Sequence, residues 1–103
     1  MATTTDVTNR LDRSLHVLLA EVEDLPRVAS EWHERPEWEQ VSFSLDWDHL
    51  MASYLIELQE AHLSGDMSDS QGEQYRGLLR ELKSAMPLIA RLQLYPPTID
   101  LDA

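Results

Sequence analysis

Apolar residues in this chain recur every three to four positions, the spacing of helices that each bury one face. Val7, Leu11, Leu15, Leu18 and Val22 make the first stripe, widened by Leu19. A helix is expected to begin at Thr5 or Asp6, whose side-chain oxygens can cap its first turn. Pro26 has no N–H to donate and is expected to end that helix near Asp24. Pro26 is also a good first helical residue, so a short second helix is expected over 26–34. Pro36 starts another such turn, PEWEQ, with Glu37 and Glu39 at the positive end of its dipole.

The next five residues, VSFSL, change the period. Val41, Phe43 and Leu45 alternate with serines, as in an extended strand. With no partner strand in sight, the stretch reads as an extended connector pressing apolar side chains onto the core. Ser44 then caps a helix whose stripe is Trp47, Leu50, Met51, Tyr54, Leu55, Leu58 and Ala61. Gly65 fits the left-handed residue that closes it. Ser68-Asp-Ser-Gln and Ser70-Gln-Gly-Glu both match a capping box, and the last helix should start at one of them. It continues through Tyr75, Leu78, Leu79, Leu82, Met86 and Ile89, kinked at Pro87, to about Leu94.

The expected fold is all-α: a small up-down bundle of three main helices with one or two short ones. Residues 45–63 and 70–93 form an antiparallel hairpin because only a short loop joins them. Residues 1–95 make the single domain, and 96–103 a short flexible tail.

Charge narrows the function. Nineteen acids face eight bases in 103 residues, a net charge of −11. Between Pro36 and Tyr75 there is no Lys or Arg, against nine carboxylates. Such a chain lacks the basic face that direct nucleic-acid binding or anionic membranes require. It has no cysteine, which removes disulfides, thiolate metal sites and cysteine nucleophiles. The start shows neither a basic region nor an apolar run, and no stretch is long enough to span a membrane, so a cytoplasmic protein is expected.

Candidate chemistry is sparse. Asp46-x-x-His49 puts two potential ligands on one helix face, with His16, His33 and His62 elsewhere. Helical di-iron sites use Glu-x-x-His, and this spacing does not occur. His49 and His62 are about 20 Å apart along one helix, too far to share an ion. Neither a metal nor another cofactor is expected. Glu57 and Glu60 are helical neighbours but have no nucleophile motif or phosphate loop beside them, so no enzyme is expected. Arg76, Arg80 and Lys83 form a basic stripe, expected to face Glu57 and Glu60 across the hairpin.

The remaining signals concern contacts. Trp47 falls on the helical stripe and is core. Trp32 and Trp38 sit in the segment that wraps the bundle end, either as lids over the core or as anchors held out for a partner. Glu37, Glu39, Glu57 and Glu60 would steer a protein with a basic surface toward them. From Ala85 to Leu94 the last helix is apolar nearly all round. Leu88 and Leu92 are expected to be left uncovered and to form a two-fold homodimer seam. The expected function is a non-catalytic acidic interaction module: an adaptor, a regulatory subunit or an inhibitor. A nucleic-acid mimic that fills the basic cleft of a DNA- or RNA-binding protein is the alternative. A small enzyme or metal-binding helical protein is the third reading.

Overall fold

Residues 4–102 are described by a computed structural model, and they fold as an all-α protein with no strand among them. Three long helical rods stack side by side: α1 (Thr4–Glu31), a second rod over 37–63, and α4 (Asp69–Arg91). The middle rod comprises α2 (Glu37–His49), a π-helical turn (Leu50–Tyr54) and α3 (Leu55–Leu63).

The rods run up, down and up. The Gln71 amide, in the first turn of α4, donates to Thr8 O at 3.1 Å and to Asp12 at 2.8 Å. At the other end of the same pair Arg91 reaches Ala29 O at 3.3 Å. These bonds set α1 and α4 parallel. His62 stacks near Tyr75, with ring centres 4.9 Å apart, while Trp47 donates to Tyr95 O at 2.8 Å. The middle rod is therefore antiparallel to α4, as the short loop implied. Leu18, Leu25, Trp47, Met51, Leu55, Leu58, Leu78 and Leu82 are among the fully buried side chains between the rods.

Pro26 does not end α1. The helix continues through it to Glu31, and Leu25, Val28 and Ala29 extend the buried stripe beyond Val22. A proline inside a helix costs about 3 kcal/mol. Each fully buried Leu or Val side chain contributes roughly 1.5–3 kcal/mol, so the longer stripe offsets the missing bond. The short helix expected over 26–34 is consequently the end of α1 plus one 3₁₀ turn (Trp32–Glu34). α1 already includes Thr4, so it starts ahead of the cap position expected at Thr5 or Asp6. Its cap lies outside the described residues.

VSFSL is helical, not extended. It lies within α2, and Ser44 donates back to Gln40 O at 2.9 Å instead of capping a helix. Val41, Phe43 and Leu45 alternate because this helix has apolar side chains on two opposite faces. Pro36, extended at φ −63° and ψ 154°, precedes α2. Gln40 clamps the corner by donating to Trp32 O at 2.7 Å and to Arg35 O at 3.3 Å.

The π turn has a cause in the spacing of the inward residues. Phe43, Trp47, Met51 and Leu55 are each four apart. At 3.6 residues per turn, every such step rotates the stripe by about 40°. A turn with i→i+5 bonds winds more slowly and brings Leu55 and Leu58 back to the core side.

Both helix ends at the loops close with the same pair of bonds. After α3, Asp66 N bonds Ala61 O and Gly65 N bonds His62 O, with Gly65 at φ +76°. After α4, Leu94 N bonds Ile89 O and Gln93 N bonds Ala90 O, with Gln93 at φ +56°. Glycine suits this left-handed position, and a side chain there is strained. Gln93→Gly is expected to raise stability by about 0.5–1 kcal/mol, read as a higher urea midpoint at unchanged slope. At the start of α4, Ser68 and Gln71 form the reciprocal capping box. The helix runs on through the exposed ring of Pro87.

Residues 96–102 are docked rather than loose. Ile99 is buried, Leu101 packs on the core, and Lys83 pairs with Asp102. The expected tail instead turns back along α4, with Asp102 at Lys83 and the charge of Asp100 acting on Tyr75.

Candidate functional site

α2 is held to the bundle by one face only. Trp47 is fully buried. Phe43 stacks on it with ring centres 6.4 Å apart, and Trp32 meets Phe43 edge-on at 5.8 Å. This aromatic ladder fixes which side of α2 faces out.

On the outward side stand Trp38, Val41 and Leu45, which are 68 %, 51 % and 62 % exposed. At about 100° per residue they fall within about 60° of one another, one straight ridge at i, i+3 and i+7. Three side chains of this size make an apolar patch on the order of 300 Å², where the largest patch of a monomer is often functional. By the same geometry Glu37 and Asp48 lie along one flank; on the other Ser42 and His49 adjoin the ridge, and Asp46 and Glu39 stand beyond them. Carboxylates thus stand on both sides of the ridge.

Asp46 of α2 lies close enough to α1 for its charge to act on Glu21. The Glu21 carboxyl is held above the usual glutamate range, first by burial and then by the charges of Asp24 and Asp46. Asp24 itself is held low by its hydrogen bonds from Arg27. A raised pKa means that folded Glu21 binds its proton more tightly than the unfolded chain does. Its contribution to stability is complete below the unfolded value and is lost as pH rises through the folded one. Glu21→Gln is therefore expected to melt above the parent at pH 7. It should also lose less stability than the parent as pH rises from about 4.5 to 7.

The residues picked out from sequence do not all converge. Trp38 stands on the outward face of α2 with Glu37 on one flank, while Glu39 is half-buried on the other. Trp32 is half-buried against Phe43 and acts as a lid; Trp38 is not a lid. Glu57 and Glu60 sit on α3, some 30 Å further along the rod. Glu57 is engaged by Arg10 of α1 at 2.9 Å, not by the basic stripe of α4. Lys83 of that stripe pairs with Asp102, and Arg76 and Arg80 form no ion pair among the described residues.

The proposed dimer seam does not exist as an exposed pair. Leu92 is 6 % exposed and so is buried within its own chain. Leu88 is half-buried at the edge of an open depression between α1 and α4 lined also by Val22, Pro26, Glu23 and Glu81. Val41 and Leu45 were the residues missed, though their i+3 and i+7 spacing from Trp38 is legible once VSFSL is helical.

No group of three or more His, Asp or Glu side chains converges as a metal site among the described residues. No helix of these residues is long and apolar enough to cross a membrane. Comparison with protein-family models, curated proteins and solved structures finds no match to this chain.

Proposed function

We propose that this protein is a non-catalytic, acidic helical interaction module of the cytoplasm, an adaptor, regulatory subunit or inhibitor, that binds another protein through the outward face of α2. The observation that carries this reading is the solvent-facing ridge of Trp38, Val41 and Leu45 on a helix already anchored by its other face. A helix that is apolar on both sides needs cover on both. Tryptophan is over-represented among residues that dominate binding energy. A nucleic-acid mimic would put carboxylates at the centre of its contact face, whereas here rings and aliphatic groups hold the centre and the acids stand at the sides.

The test is size-exclusion of extracts from the native host. The chain is expected to run in an assembly heavier than its own 11.9 kDa. Trp38→Ala with Leu45→Asp should release it as free, folded protein, and Gln74→Ala on the exposed side of α4 should not. A chain that runs free in the extract, or an assembly untouched by the double change, would end this reading.

A further inference from the structure

The interaction reading can be taken one step further, to the chemistry of the partner, because shape and charge on α2 constrain what can cover it. We infer that the partner presents an apolar cleft with a pocket for an indole ring and with Lys or Arg along both rims. This rests on the interaction reading given above.

The shape argument comes from the ridge. Trp38, Val41 and Leu45 project from one convex helix face, 68 %, 51 % and 62 % exposed. Anchors at i, i+3 and i+7 are the pattern of a helix laid into a hydrophobic groove. The ladder of Trp32, Phe43 and Trp47 keeps α2 fixed before any contact is made. The ridge is thus preorganised, and little ordering is left for the binding step.

The charge argument excludes the simplest rival, a second copy of this chain. A stable interface buries roughly 800 Å² on each partner. The ridge supplies less than half of that, so Glu37, Glu39, Asp46 and Asp48 must enter the contact as its rim. A two-fold pairing of ridges would bring these four carboxylates toward the same four of the other copy. With each chain at −11, that contact is repulsive. A cleft rimmed by ammonium or guanidinium groups turns the same rim into attraction.

The experiment places the photoreactive residue p-benzoylphenylalanine at Val41 or at Leu45 of the full chain in its native host. Peptide mapping of the adduct then identifies the partner, which is purified for titration against the unlabelled chain. Both positions are expected to capture one protein, at a cleft with Lys or Arg on either side. Trp38→Ala should weaken the purified complex at least tenfold. Neutralising the rim with Glu37→Gln, Glu39→Gln, Asp46→Asn and Asp48→Asn should weaken it about tenfold and remove most of its salt dependence. Circular dichroism of each variant checks that the fold is kept. A captured cleft with neutral or acidic rims, an adduct to a second copy, or a complex indifferent to neutralisation would overturn the inference. An adduct to a non-basic cleft would leave the interaction reading standing, whereas no adduct from either position would end both.

Discussion

Trp47→Ala is expected to cost about 3–5 kcal/mol of stability, while Trp38→Ala, nine residues earlier on the same helix, should cost less than about 0.5 kcal/mol. The contrast follows from which face of α2 each ring occupies. Trp47 has no exposed surface and packs beneath Phe43. Its indole N–H donates to Tyr95 O at 2.8 Å and so ties the segment that follows α4 to the middle rod. Alanine there leaves a cavity and an orphaned carbonyl together. Small domains are stable by only about 5–15 kcal/mol, so the Trp47 variant should unfold at much lower urea. Trp38 touches mainly solvent, and its removal should leave the unfolding midpoint nearly unchanged. Acrylamide should quench the emission of Trp38 freely in the parent, and Trp38→Ala should lose that component and keep the weaker quenching of half-buried Trp32. A loss of 2 kcal/mol or more for Trp38→Ala would mean that the ridge is buried by its own chain.

Much of the fold was legible because its signals are local. Ser68 and Gln71 announce a helix start within four residues, and Gly65 announces a stop by itself. The stripes through Leu15 and Leu58 repeat often enough to fix two buried faces. Errors arose where a local signal lost to tertiary packing. Pro26 carries a real cost, but Leu25, Val28 and Ala29 bury enough surface beyond it to keep the helix going. VSFSL has the period of a strand only because Val41 and Leu45 face one way while Phe43 faces the other. Two apolar faces half a turn apart look like alternation when read over five residues.

The candidate site divided along the same line. Trp38 with Glu37 and Glu39 was found from composition, since a ring among carboxylates stands out in any conformation. Val41 and Leu45 were missed because their helical phase was hidden by the strand reading. Glu57 was assigned to a partner because a count along the chain cannot see Arg10, which arrives from α1. Leu92 looks like a dimer contact in sequence because residues 85–94 are apolar nearly all round, and which of them the chain itself covers is a tertiary matter.

Gln71→Glu sets local chemistry directly against tertiary structure. By local rules the change is harmless or helpful: glutamate is a good third residue for a capping box, and its charge suits a helix N-terminus. The bundle predicts the opposite. The Gln71 side chain is 3 % exposed, and its carbonyl oxygen accepts from Ser68 N at 3.0 Å. Its amide nitrogen donates to Thr8 O at 3.1 Å and to the Asp12 carboxylate at 2.8 Å. A carboxylate keeps the first bond and loses both donors, leaving a buried anion against a carbonyl and against the exposed carboxylate of Asp12. The expected cost at pH 7 is about 1–3 kcal/mol, the range for a buried polar group left without its partners. Because the fold would then hold the introduced carboxyl's proton more tightly than the unfolded chain, the deficit should shrink as pH falls. Asp12→Asn should restore much of the loss, since an amide can turn to donate toward the new carboxylate. Urea unfolding of the four proteins in that cycle separates the pair energy from each single change. Near-neutral behaviour of Gln71→Glu alone would show that the capping box acts by itself and that α1 and α4 do not meet at Thr8 and Asp12.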